Sequence, residues 1–202
     1  MNKIIVSLLL ALGLTGLAQA AGNAEAGKEK ILLCTACHGA EGNTPLMPVY
    51  PKLAGQGERY LLKQMRDIKS GARPVVEMTG MLDAMSDQDM ADIAAWYASN
   101  TSTTGLADAE LAEHGEAIFR GGKLDDGVPA CTGCHSADGA GLDLAFDPKL
   151  SSQTAEYTAK QLTDFREGIR TNDGDAMVMR GVAEKLSNKD VKALANYIQG
   201  LQ

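Results

Sequence analysis

Within residues 57–70 the side chains Tyr60, Leu61, Gln64, Met65 and Ile68 recur at helical spacing, and after Ser86 the rhythm returns with Met90, Ile93, Ala94 and Tyr97. Both stretches predict helices, over 57–70 and 87–99, each with a core-facing stripe. An earlier helix is predicted over 24–36, opening after Asn23 as a cap and carrying Ile31, Leu32 and Leu33 toward its end. Helices near 108–120, 155–167 and 188–199, the last capped by Ser187, repeat the plan. No strand-like alternation interrupts them, so the expected fold class is all-α. The segments 39–51 and 167–179 are long and poor in apolar residues, and need something to wrap around. The glycine-rich stretch 121–129 reads as a surface loop, and 100–107, small and polar, as a linker.

The chain opens differently. Lys3, an apolar run from Ile4 to Leu17 and the small-residue site Ala18-Gln19-Ala20 read as a secretory signal over 1–20, with the mature protein starting at Ala21. The run is short and broken by Gly13 and Gly16, which argues against a retained membrane anchor.

The remaining 182 of the 202 residues are a duplication. A shift of 97 lays Cys34-Thr35-Ala36-Cys37-His38 on Cys131-Thr132-Gly133-Cys134-His135, Pro51-Lys52-Leu53 on Pro148-Lys149-Leu150, and Lys63-Gln64 on Lys160-Gln161. After four extra residues in the second copy, Met78, Ser86 and Asp89 fall on Met179, Ser187 and Asp190. Two domains follow, 21–104 and 105–202. The Cys-x-x-Cys-His motif uses all four cysteines and two of the three histidines. Two thiols at this spacing reach the two vinyl groups of one haem while the next residue reaches its iron, so the chain is expected to bind two covalent haem c groups. Domains of roughly 90 residues bury little surface unaided, and the apo chain is expected to fold poorly.

An iron-binding methionine should recur in both copies, whereas a packing methionine can be exchanged for another apolar residue. Met47, Met65, Met81, Met85 and Met90 face Leu144, Leu162, Val182, Leu186 and Val191, and Met177 faces Val76; Met78 and Met179 alone face each other. The axial pairs are therefore His38 with Met78 and His135 with Met179. Pro51 and Pro148 offer carbonyls for the second nitrogen of each histidine. His114, among Glu110, Glu113 and Glu116, reads as a solvated side chain, Trp96 and Tyr97 as core residues with Tyr97 matched by Tyr197. Arg59, Lys63, Lys160 and Arg166 are candidates for haem propionates.

Six-coordinate irons are closed to substrates, which points to electron transfer and away from an enzyme. A dihaem peroxidase needs an openable iron, and the histidine after each cysteine pair disfavours zinc or disulfide exchange. Residues 21–104 hold 8 basic against 10 acidic side chains, and 105–202 hold 10 against 16, a balance that argues against nucleic acid.

These motifs resemble the dihaem cytochrome c4 family over the whole mature length. The stretches Pro51-Lys52-Leu53-Ala54-Gly55-Gln56-Gly57-Glu58-Arg59-Tyr60, Glu77-Met78-Thr79-Gly80-Met81-Leu82, Phe119-Arg120-Gly121-Gly122-Lys123 and Thr171-Asn172-Asp173-Gly174-Asp175 all follow its pattern. The resemblance implies two class I cytochrome c folds about a pseudo-twofold axis, with the propionate edges of the haems close together. It also implies a periplasmic carrier, often loosely and peripherally held at the inner membrane, that takes electrons from the quinol-oxidising bc complex toward a terminal oxidase; a monomer is expected. The alternative is an electron-accepting cytochrome subunit of a periplasmic dehydrogenase, such as a sulfide-oxidising flavoprotein.

Overall fold

The computed structural model describes residues 21–202; the expected signal segment 1–20 lies outside them. The helices are α1 (Ala24–Lys28), α2 (Leu32–His38), α3 (Glu58–Ser70), α4 (Asp87–Ser99), α5 (Ala109–Gly121), α6 (Thr132–His135), α7 (Ala155–Arg166), α8 (Val178–Ala183) and α9 (Asn188–Gly200). Short 3-10 turns occupy Val76–Met78, Leu124–Asp126 and Asp143–Ala145. Among the described residues there are no strands, only the isolated bridges Lys123–Val128 and Leu142–Asp147.

The two halves are built alike. In the first, α1 and α3 pack on α4, and in the second α5 and α7 pack on α9. The crossings α1/α4 and α5/α9 each occur at a glycine. A Cβ on Gly27 would strike the Asp92 carbonyl, and one on Gly115 the Ala193 carbonyl, so only glycine lets these backbones touch. Ser86 with Asp89 and Ser187 with Asp190 form matching capping boxes that start α4 and α9. One core gathers Ile31, Leu61, Ile93, Ala94 and Tyr97, and the other Ile118, Phe119, Val128, Leu186, Val191, Leu194, Ile198 and Leu201.

Several sequence expectations are corrected. The helix expected over 24–36 is two helices, because the chain turns at residues 29–31. The turn buries Ile31 and carries Lys30 to Asp89 (2.7 Å) and Asp92 (2.6 Å), while Leu32 and Leu33 stay exposed. Residues 121–129 are a small hairpin rather than a free loop, pinned by fully buried Val128 and by Lys123, whose Nζ meets Asp190 at 3.0 Å. The counterpart of Tyr97 is Ile198, not Tyr197: the carbonyl of Tyr97 accepts from Gly55 as that of Ile198 accepts from Ser152. His114 Nε2 donates to the Asp190 carboxylate at 2.8 Å and is not simply solvated.

The halves meet through bonds that repeat under exchange of the domains. Gln153 Oε1 accepts from the Lys52 amide (2.8 Å) and its Nε2 donates to the Lys52 carbonyl (3.0 Å). Gln56 makes the same pair to Lys149, at 2.7 and 2.9 Å. Arg73 donates to Gln64, Gln161 and Tyr157, and Arg170 to Gln161, Gln64 and Tyr60. Each member sits 97 residues from its mate, so the interface has pseudo-twofold symmetry. Tyr60 and Gln64, expected on the core stripe of α3, are thus turned to the other domain.

Candidate haem sites

The two Cys-x-x-Cys-His motifs are held in the same way although their helices differ in length. Helix α2 ends on His38 and the four-residue α6 on His135, and both imidazoles are buried. His38 Nδ1 lies 3.0 Å from the Pro51 carbonyl oxygen, and His135 Nδ1 lies 2.9 Å from that of Pro148. A carbonyl can only accept, so each Nδ1 carries the proton and each Nε2 keeps its lone pair. Burial lowers the pKa of both rings, against the opposing pull of the carbonyls, and leaves them neutral, as a metal-bound imidazole must be. Both proline carbonyls expected from the sequence are therefore used.

No disulfide joins any of the four cysteines. Burial raises the thiol pKa of Cys34, and that of Cys131 to about 11. Cys34 and Cys131 pack against the two cores, while Cys134 is exposed. The second motif thus offers one thiol against its core and one at the surface, while Cys37 of the first motif is half-buried like Cys34.

Met78 closes the 3-10 turn Val76–Met78, and Met179 is the second residue of α8; both are half-buried. The second methionine loop is clamped. Asp173 accepts from the Arg180 amide at 2.9 Å and from its Nε at 2.7 Å, and Met177 starts α8 in a left-handed conformation (φ +49°). Directly around Met78 the bonds among the described residues are backbone turns, such as Met81 amide to Met78 carbonyl at 3.0 Å. Ser136, directly after His135, has φ +69° and ψ 160°, a region suited to the glycine found at the matching Gly39.

Of the four cations expected at haem propionates, three have side chains engaged within the protein, and Arg59 is held only through its backbone. Lys63 holds Asp67 and the Asn172 carbonyl, Lys160 holds Asp164, and Arg166 holds Glu167, the Leu186 carbonyl and Asn188, while the Arg59 amide is bound by Asp143. Sequence reading missed Arg73 and Arg170, although the 97-residue shift superimposes them. Both are buried, and their side-chain partners are glutamine, tyrosine and asparagine. Burying two guanidiniums beside neutral groups is costly, so this pair suits a ligand with anionic edges. The Trp96 indole N–H is buried without a hydrogen-bond partner, and the buried Tyr97 hydroxyl has only the Cys34 thiol beside it.

The pattern of the cytochrome c family matches twice, over residues 24–101 and 112–202. Cytochrome c4 of Stutzerimonas stutzeri is 64% identical over 210 residues, with 100% of both chains covered. The crystal structure of reduced recombinant cytochrome c4 from Pseudomonas stutzeri superposes with a TM-score of 0.88 at 63% identity, covering 90% of this chain and 100% of that one. More distantly, a thiosulfate dehydrogenase electron acceptor of Stutzerimonas stutzeri is 32% identical over 169 residues, 82% of this chain and 77% of that one. Two domains that each repeat one haem-binding motif, on a fold and sequence shared end to end with these proteins, place the chain in the cytochrome c4 family: it is a dihaem c-type cytochrome and an electron carrier.

Proposed function

We propose that the domains 21–104 and 105–202 each hold one haem c, through thioethers to Cys34 and Cys37 and to Cys131 and Cys134. His38 with Met78, and His135 with Met179, are the axial ligands. The observation that carries this is the repeated bond from each histidine Nδ1 to a proline carbonyl thirteen residues on, which aims Nε2 in both copies. Bound at these sites, the haem iron supplies one-electron redox chemistry. The chain's part would be to orient the imidazoles, supply the Met78 and Met179 sulfurs, exclude water, and bring Arg73 and Arg170 to the shared interface as propionate partners. A thioether ligand favours the ferrous state, so both potentials lie on the positive side for cytochromes. With both axial positions filled, the protein is a carrier and not an enzyme.

The carrier works in the periplasm, exported by the segment 1–20, and takes electrons from the quinol-oxidising bc complex toward a terminal oxidase. Among the described residues no helix is long and apolar enough to cross a membrane. The second reading is that of electron acceptor to a periplasmic dehydrogenase; the relative bearing the name thiosulfate dehydrogenase electron acceptor favours that enzyme over a sulfide-oxidising flavoprotein.

The test is the optical spectrum of the exported protein, oxidised and reduced, with and without carbon monoxide, with covalent haem counted per chain. Two low-spin haems indifferent to the gas are expected, and a carbon monoxide shift in the wild type refutes the ligand assignment. Steady-state reduction by purified bc complex, compared with thiosulfate dehydrogenase, separates the two readings.

A further inference from the structure

We propose that Gln153 and Gln56 are positioning residues that act across the domain interface, each setting the hydrogen bond that holds the iron-binding histidine of the other domain. The proposal rests on His38 and His135 being iron ligands.

The Lys52 N–H that donates to Gln153 Oε1 (2.8 Å) belongs to the same amide as the Pro51 carbonyl that accepts from His38 Nδ1 (3.0 Å). The Lys149 N–H that donates to Gln56 Oε1 (2.7 Å) shares its amide with the Pro148 carbonyl, 2.9 Å from His135 Nδ1. An amide whose N–H donates gains electron density on its oxygen, because hydrogen bonds in series polarise one another. The more negative carbonyl draws more strongly on the imidazole N–H and makes Nε2 a stronger donor to iron, which favours the ferric state.

Both glutamines are themselves fixed. Gln153 Nε2 returns to the Lys52 carbonyl (3.0 Å) and Gln56 Nε2 to that of Lys149 (2.9 Å), so neither amide can rotate without losing two bonds. Gln56 is 7% and Gln153 8% exposed, which keeps water from replacing them. The second domain therefore supplies the group that tunes the first iron's histidine, and the first domain supplies its mirror image. Docking of the domains and the two potentials are coupled through four hydrogen bonds.

The experiment uses the full-length holoprotein with Q153M and Q56M, near-isosteric changes that keep the side-chain volume. Each haem's midpoint is read by spectroelectrochemistry, with the haems resolved by the NMR shifts of their methyl groups. Q153M is expected to raise the midpoint of the first haem, moving the equilibrium of one electron between the haems roughly threefold toward it, and to leave the second unchanged. Q56M should do the reverse. A shift in the haem of the mutated domain, an equal shift in both, or no shift in a protein that keeps its docked interface overturns the proposal. Q153N, which keeps the amide but falls short of Lys52, is expected to give the same crossed shift and carries the test if Q153M does not fold. A wild-type protein whose NMR spectrum lacks the iron-shifted ring signals of His38 and His135 would fail the ligand assignment instead, so the two failures are told apart.

Discussion

Helix α3 begins at Glu58 with Gly57 as its cap residue, which has no side chain to receive the free amides of the first turn. Asp143 of the other domain does so: its Oδ1 accepts from the Arg59 amide at 2.9 Å and the Tyr60 amide at 3.3 Å. Removing a capping carboxylate costs about 0.5–2 kcal/mol, and the loss of its charge at the positive helix end about 0.3–1 kcal/mol of that order again. Asp143→Ala should therefore weaken domain docking by about 1–2 kcal/mol, and Asp143→Asn, still able to cap, by less. Native-state hydrogen exchange at Arg59 and Tyr60 reads this directly, with about 5–30-fold faster opening expected in the alanine variant. The cross-domain origin is tested by a cycle with Gly57→Ser. Gly57 has ordinary cap geometry (φ −51°, ψ 131°), but a Cβ there would strike Asp143, so Gly57→Ser alone destabilises. In the Asp143→Ala background the clashing carboxyl is gone and only the residue 143 Cβ, at 3.2 Å, remains, so the serine can cap α3 from within its own domain. The double variant should thus be more stable than the sum of the single changes predicts. Strict additivity, or unchanged exchange at Arg59 and Tyr60 in Asp143→Ala, would refute the reasoning.

Four further outcomes are expected. Met78→Ala should open the first iron to carbon monoxide and lower its potential while the second haem stays closed, measured as a gas-induced difference spectrum of half the haem; Met179→Ala is the mirror case. Asp173→Ala removes both bonds to Arg180 and should loosen the Met179 loop by about 1–3 kcal/mol, seen as loss of the methionine–iron charge-transfer band of the second haem at lower denaturant. Ser136→Gly should relieve the backbone at φ +69°, ψ 160° and, after losing the Ser136 Oγ bond to the Gly141 carbonyl (3.0 Å), stabilise the protein by about 1 kcal/mol in urea titration. Burial tends to raise the Asp190 carboxyl, but the Ser187 amide, Lys123, the Ser187 hydroxyl and His114 outweigh it and hold it below the usual carboxylate range. A pKa lower in the folded state means stability that is complete above the unfolded value of about 3.9 and lost as pH falls further, so Asp190→Asn should flatten that acid limb of a stability–pH curve.

Much of this protein is written locally. The Cys-x-x-Cys-His motifs and their 97-residue repeat reveal the cofactor and the doubling, because covalent attachment demands fixed spacing in sequence. The recurrence of Met78 at Met179 marks a candidate ligand for the same reason: a packing residue drifts between copies and a chemical one does not. Ser86 and Ser187 announce their helices through contacts only three residues long. Helical stripes, by contrast, name a buried face without naming what buries it. Tyr60 and Gln64 keep the period of a core stripe yet meet Arg170 of the other domain. Arg73 and Arg170 look like two ordinary surface cations until the interface buries both, and His114 looks solvated until Asp190 reaches it across 76 residues. The cap that Asp143 places on α3 and the crossed bonds of Gln56 and Gln153 have no local trace, since both partners of each contact lie on different domains. Short-range geometry is set by the chain's own spacing, whereas the cost of a buried charge and the partner of an amide depend on which distant surface arrives, and only the docked tertiary structure decides that.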